Sequence, residues 1–291
     1  MGARTRSQTL TDLIPTKFYR LSGAYMGGPH KPCPADTRAT ATDGPLLWWK
    51  SEAARTPYDP IHESPVLFRE FADLDCTAGN VLQFIEQYGP LGIDHDRTEF
   101  CEGLPHWEGE TQLMRLAIRL WEALRSGHAT QAVQELRTWP VKDSDHRVVT
   151  SLVFDQYGEH DDLELLFGGP SLRIALVEPG ATEREIVQAA LSGLISRQFV
   201  RHDVQPGLFP NSSAYGAGLR LSFEAPNLIA LLWLQLALAI DGNREYRTCP
   251  VCGNWWDATD ARAHKKVCSD KCRAKKSYRE RKEAAKKGDA R

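Results

Sequence analysis

Residues 248–276 read TCPVCGNWWDATDARAHKKVCSDKCRAKK, and the four cysteines in that run decide what the C-terminus can be. Cys249 and Cys252 enclose two residues, fifteen residues follow, and Cys268 and Cys272 then enclose three. The chain has seven cysteines, an odd number, and the other three, Cys33, Cys76 and Cys101, are scattered. Crowding of this kind is the arithmetic of a metal site and not of disulfides. The scattered three read as small buried hydrophobes or bystanders, because a reducing cytosol keeps isolated thiols as thiols.

Each part of the motif has a mechanical purpose. After the first pair, Gly253 can take a positive φ, which frees backbone amides to point at the sulfurs. In the second pair, a helix starting near Ser269 would bring Cys268 and Cys272 onto one face at its N-terminal end, where the helix dipole favours thiolate. Four thiolates around one tetrahedral Zn²⁺ leave no open position, so the expected ion is structural and not catalytic. His264 is a rival ligand, but with four cysteines at hand it reads as a surface or hairpin residue. The fifteen residues between the pairs suffice for a short hairpin, with Trp255 and Trp256 supplying the apolar cover that so small a module lacks. Both read as core aromatics; a base-stacking role stays open, because alternate residues of a strand point opposite ways.

Beyond Cys272 runs RAKKSYRERKEAAKKGDAR, composed of good helix formers. It carries Arg273, Lys275, Lys276, Arg279, Arg281, Lys282, Lys286 and Lys287. With no apolar stripe beyond Ala274, Tyr278 and Ala285, its distal half is expected to project into solvent. Residues 244–291 hold 15 Lys and Arg against 7 Asp and Glu, a net +8, while the rest of the chain holds 21 against 31, a net −10. A zinc with four thiolates carries −2, and Arg247, Lys271 and Arg273 could offset it. The cations left over form the footprint expected for a phosphate backbone, with DNA favoured over RNA. A solvated charge run without a partner is the bland alternative.

These residues resemble the CGNR-type zinc fingers of bacterial proteins, in which an aromatic-x-Asp-x-Ser/Thr stretch follows a cysteine pair and a second pair leads into a basic helix. Trp255-Trp256-Asp257-Ala258-Thr259 and Cys272-Arg273-Ala274-Lys275 occupy the matching places. Both knuckles are shorter than that family's usual spacing, and its Gly-Asn does not follow the last cysteine. The resemblance extends loosely into the body through VLQFIEQYGPLG and LIALLWLQLALAI. It implies an α/β domain called ABATE ahead of the finger, and a role as a DNA-binding transcription regulator.

Working back from the finger, the apolar run Leu228–Ile240, interrupted by Gln235, is shorter than the roughly 18 residues a membrane span needs, so it reads as a buried helix starting near Pro226 and ending at Asp241-Gly242. Leu219–Phe223 reads as a last strand after a loop near 206–218. Thr182 with Glu185 forms a capping box ahead of a helix through Ile186, Ala190, Leu194 and Ile195. Val148–Phe154, Leu163–Phe167 and Leu172–Val177 read as short antiparallel strands. A helix over about 110–139 is expected to break at Gly127 into a pair, and two short helices fit 64–89, ending at Gly89-Pro90. Residues 1–60, punctuated by prolines, read as ordered coil with short strands, kept from disorder by aromatics such as Trp48 and Trp49.

The expected class is therefore α+β. An irregular segment, 1–60, packs on a mainly helical acidic body with a small antiparallel sheet, 61–243, and a finger of knuckle, hairpin and helix follows over 244–291. At 291 residues and 42% apolar composition the chain can build a sizeable core. No signal-like segment opens it, and Arg6 replaces the Ser or Thr of a myristoylation motif, so a cytoplasmic location is expected. No phosphate-binding glycine loop, G-x-S-x-G or H-E-x-x-H is present, which argues against an enzyme. His160, Asp161, Asp162 and Glu164, and the His95-Asp96 pair, read as solvated turns. One finger makes few phosphate contacts, so a homo-oligomer or added contacts from the body would be needed for tight binding. The competing function is a zinc-stabilised protein–protein or self-association module whose cations meet an acidic surface.

Overall fold

The computed structural model describes residues 18–21, 25–27, 46–50, 55–92, 99–134, 136–142, 148–154, 172–210, 219–261 and 265–288. Among them the chain is α+β and mainly helical, with small sheets whose strand pairs are all antiparallel. The helices α1 (Pro60–Glu63), α2 (Leu67–Ala72), α3 (Ala78–Tyr88), α4 (Leu104–Ser126), α5 (Ala129–Val133), α6 (Glu183–Arg201) and α7 (Leu228–Asp241) make the body.

The core lies where α2, α4 and α6 close around α7. That last helix is apolar nearly all round and is buried from Leu228 to Leu236, as such a composition requires. Its one polar residue there, Gln235, is accommodated because its amide donates to the carbonyls of Pro60 and Ser64 at 3.4 and 3.3 Å. Asn227 caps its start, accepting from the Ala230 amide at 2.9 Å. The Thr182–Glu185 capping box is present at the head of α6, with both reciprocal bonds made. In the stripe read from the sequence, Val81, Phe84, Ile85 and Tyr88 are all buried, and Gly89, at φ +92°, ends α3.

The long helical pattern is cut more severely than its spacing suggests. Gly127, at φ +76°, stops α4; α5 lasts five residues; and Leu136–Lys142 is a strand, β6, not the end of a second helix. Pro140 has no N–H for a helix interior, and Thr138, Trp139 and Val141 suit a pleat. With β7 (Val148–Phe154) and β8 (Leu172–Val177), β6 makes a three-stranded sheet whose neighbour is α6. The strand expected at Leu163–Phe167 lies outside the described residues.

Two more strands carry little sequence signal. One, Glu99–Gly103, is β5 and pairs with β3 (Leu46–Lys50), which also pairs with β2 (Tyr25–Gly27). The other, Gln205–Pro210, is β9, hidden by two prolines and a glycine, and it pairs with β10 (Leu219–Glu224) over the full length of both. The short strands expected before residue 60 include β1 (Phe18–Leu21) and β4 (Arg55–Tyr58), which pair with each other. No helix among the described residues is long and apolar enough to cross a membrane.

Candidate metal centre

Cys249, Cys252, Cys268 and Cys272 converge, and their sulfurs all lie within 4.8 Å of one another. The Cys252–Cys268 and Cys268–Cys272 sulfurs are 3.6 Å apart, far too long for a disulfide. A tetrahedral ion with metal–sulfur bonds of about 2.3 Å places its sulfurs about 3.8 Å apart, so these four residues can hold one metal ion with little adjustment. Cys249 and Cys272 are buried, Cys268 half-buried and Cys252 exposed.

The local fold follows from the motif. Gly253 stands at φ +79°, and its amide returns to the Cys249 carbonyl at 2.8 Å to close the first knuckle. Burial raises the Cys249 thiol, but the amides of Cys268, Cys252 and Val251 aimed at its sulfur outweigh that and hold it well below the usual thiol range. Cys268 is pushed up by burial, with the neighbouring thiols adding to the rise. The second knuckle opens α8 (Asp270–Gly288), and Ser269 heads it: its hydroxyl accepts from the Cys272 amide at 3.3 Å and its carbonyl from the Arg273 amide at 3.0 Å.

The hairpin is not inserted between the cysteine pairs. Instead β11 (Tyr246–Thr248) and β12 (Trp255–Asp257) flank the first knuckle, which is itself the turn joining them. Asp257 and Thr259 then have a structural task. The Asp257 carboxylate accepts from the Thr259 amide and hydroxyl at 2.9 and 2.6 Å and pairs with Arg244 at 2.7 Å, while the Thr259 hydroxyl accepts from the Glu245 amide at 2.8 Å. This network ties the base of the hairpin.

The two tryptophans separate, as alternate strand residues must. Trp256 is buried with Cys249, Ala258, Val267 and Cys272 in the finger's own small core. Trp255 instead meets the body: its indole N–H donates to Asp73 at 2.7 Å, and the Arg69 guanidinium lies 4.8 Å from its ring centroid. Arg69 is 4% exposed, ion-paired with Glu122, and also within 5.4 to 5.8 Å of the Phe68, Trp121 and Tyr246 rings. Tyr246 meets Phe68 and Trp121 edge-on, and burial pushes its phenol up to about 12, with Asp257 adding to the shift. This aromatic box joins α2, α4 and both finger strands. Sequence reading missed it; the available signal was an arginine set between Phe68 and Phe71 on a short, largely apolar segment.

The basic residues fall into two groups. Arg273 pairs with Asp270 at 2.9 Å and Lys276 with Glu280 at 3.8 Å, and Arg247, expected to offset the metal, pairs with Glu245 at 2.6 Å. Lys271, Lys275, Arg279, Arg281 and Lys282 are exposed, and among the described residues no helix or strand packs extensively along α8. Lys286 and Lys287 belong to α8, but their side chains lie outside the described residues, as do His264, His95-Asp96 and the 160–164 cluster. Of the scattered cysteines, Cys76 is half-buried with its sulfur 3.4 Å from the Thr111 hydroxyl.

Elsewhere in the body, buried and half-buried titratable groups are shifted by burial and by one another. Glu102 accepts from the Leu91 and Gly92 amides and the Trp107 indole at 3.3, 3.0 and 2.8 Å, and burial still raises it to about 7. Burial would also raise Glu110, but His202 and Arg201, the latter 2.8 Å away, carry it down to about 2. Desolvation of the His106 ring outweighs Glu110's attraction, and Arg201 and His202 add to the effect, holding it at about 4. With Arg201 on the carboxylate, His106, Glu110 and His202 do not form a cation site. Comparison of the chain with protein-family models, with curated proteins and with solved structures gives no match.

Proposed function

We propose that this chain is a zinc-finger nucleic-acid-binding protein, acting as a bacterial DNA-binding transcription regulator. In this reading residues 244–291 are the binding module and 61–243, with 1–60 packed on them, an acidic sensing or assembly part. The observation that carries it is a cation-rich helix that starts on the four-cysteine cluster and, among the described residues, has no helix or strand packed extensively along it. Four soft sulfurs at near-tetrahedral spacing suit Zn²⁺, and a closed set of four protein ligands suits a structural role. Phosphate backbones are the partner that such a surplus of exposed Lys and Arg fits best. The same function is what the resemblance to CGNR-type fingers implies.

The rival, an interaction module whose cations meet the chain's own acidic body, is less well supported, because among the described residues no helix or strand of the body packs extensively along α8. Binding of the zinc-loaded full chain to duplex DNA should weaken steeply as salt rises, and Cys268→Ser should abolish it together with stoichiometric zinc. A salt slope near zero, or no retention on any duplex, ends this reading; loss of self-association alone on deleting 244–291 favours the rival.

A further inference from the structure

The helix α8 is not uniformly cationic once its surroundings are taken into account. Its inward side is fixed by Cys272, which is buried, and Lys276, one turn on, which is half-buried; the remaining residues from Asp270 to Lys282 are exposed. At about 100° per residue, Tyr278 points well away from that side, and Lys271, Ala274, Lys275, Arg281 and Lys282 lie within about 60° of it. Tyr278 is 63% exposed, one of two large hydrophobic side chains so exposed among the described residues. The single acid between residues 271 and 282, Glu280, lies elsewhere on the helix and is engaged by Lys276. The internal ion pairs therefore engage neither Tyr278 nor its flanking cations, and leave that face with four cations and no acid.

We infer that this face, formed by Lys271, Lys275, Tyr278, Arg281 and Lys282, lies in the major groove of duplex DNA, with Tyr278 toward the base edges and the flanking cations on the phosphates of the two strands. The inference rests on the nucleic-acid reading above and specifies its surface. A helix about 10–12 Å across fits a groove about 12 Å wide. Lys271 to Lys282 spans about 16 Å of rise, or about five base pairs. The major groove of A-form RNA is too narrow and deep for such a rod, which favours DNA. A protein partner fits less well: interface centres are apolar and poor in charge, whereas this face offers only Ala274 beside its one ring.

The test uses the zinc-loaded full chain and a fluorescein-labelled, mixed-sequence 30-base-pair DNA duplex, followed by anisotropy across a range of NaCl concentrations. Lys275→Gln/Lys282→Gln should flatten the slope of log affinity against log salt by about 1.8, two phosphate contacts at about 0.9 each. Arg273→Gln/Lys276→Gln, which removes as much charge from the two ion-paired cations, should leave the wild-type slope. Tyr278→Ala should weaken binding about fivefold at unchanged slope. Unchanged far-UV circular dichroism shows that α8 persists in each variant. Equal losses in the two double variants, or no effect of Tyr278→Ala, overturn the face assignment while leaving the nucleic-acid reading standing. If the wild-type chain binds no duplex even at low salt, the nucleic-acid reading fails; retention on polyglutamate instead assigns the face to an acidic protein and also overturns the inference.

Discussion

Glu102, buried, and His106, half-buried and four residues on, pull the pH dependence of stability in opposite directions. Glu102 is raised from an ordinary 4.5 to about 7, so the folded state holds its proton more tightly; its contribution is complete below about 4.5 and is lost as pH rises through 7. His106 is lowered from 6.5 to about 4, so the unfolded state takes up its proton first, and its contribution weakens as pH falls from 6.5 to 4. The two offset one another between about pH 4.5 and 6.5. Glu102→Gln removes one side of the balance. Urea unfolding should then show stability rising with pH across that window, with the variant's deficit relative to the wild type shrinking toward pH 7; parallel curves would show that Glu102 does not titrate there. Neither residue could be selected from the sequence, because a shifted pKa depends on what surrounds a group, and His106 looks like any other histidine on a helix.

At the scale of elements, the knuckle is the place where backbone geometry matters most. Gly253 needs its φ of +79°, and a methyl group there would meet no atom within 4 Å, so the cost of Gly253→Ala is conformational and not steric. About 1–2 kcal/mol is expected, read as about a tenfold loss in zinc affinity in competition with a chelator at unchanged body stability. This turn, the cysteine set, the capping box and the long apolar helix were legible in the sequence because each is a local rule with few ways of being met. Strands β5, β6 and β9 were not. They are short, two of them contain proline, and each owes its conformation to a partner strand elsewhere in the chain, which no local pattern reports. The hairpin was expected between the cysteine pairs, whereas its strands bracket one of them, since spacing alone does not say which residues pair.

In the whole molecule, the finger is not tethered by a loose linker. Only a few residues separate α7 from β11, and the Arg69 box then holds Tyr246 and Trp255 against α2 and α4. A buried cation shared among four rings and one carboxylate should be costly to remove: Arg69→Ala is expected to destabilise the body–finger junction by about 2–3 kcal/mol. Hydrogen exchange should quicken in β11 and β12 while Leu231–Leu236 of α7 stay protected; uniform quickening would mean that Arg69 supports the body alone. The site was thus half legible: the ligands were local, but the seat that fixes their module depended on residues nearly two hundred positions away. Trp255 sits two residues beyond the knuckle glycine and at the same time on that seat, so it carries an optical consequence. Stripping the ion with a chelator should free this indole from its cation and its carboxylate and shift the emission of the intact chain to longer wavelength, a response that Trp255→Phe should silence. The protein would then report its own metal content by its intrinsic fluorescence, without any added dye.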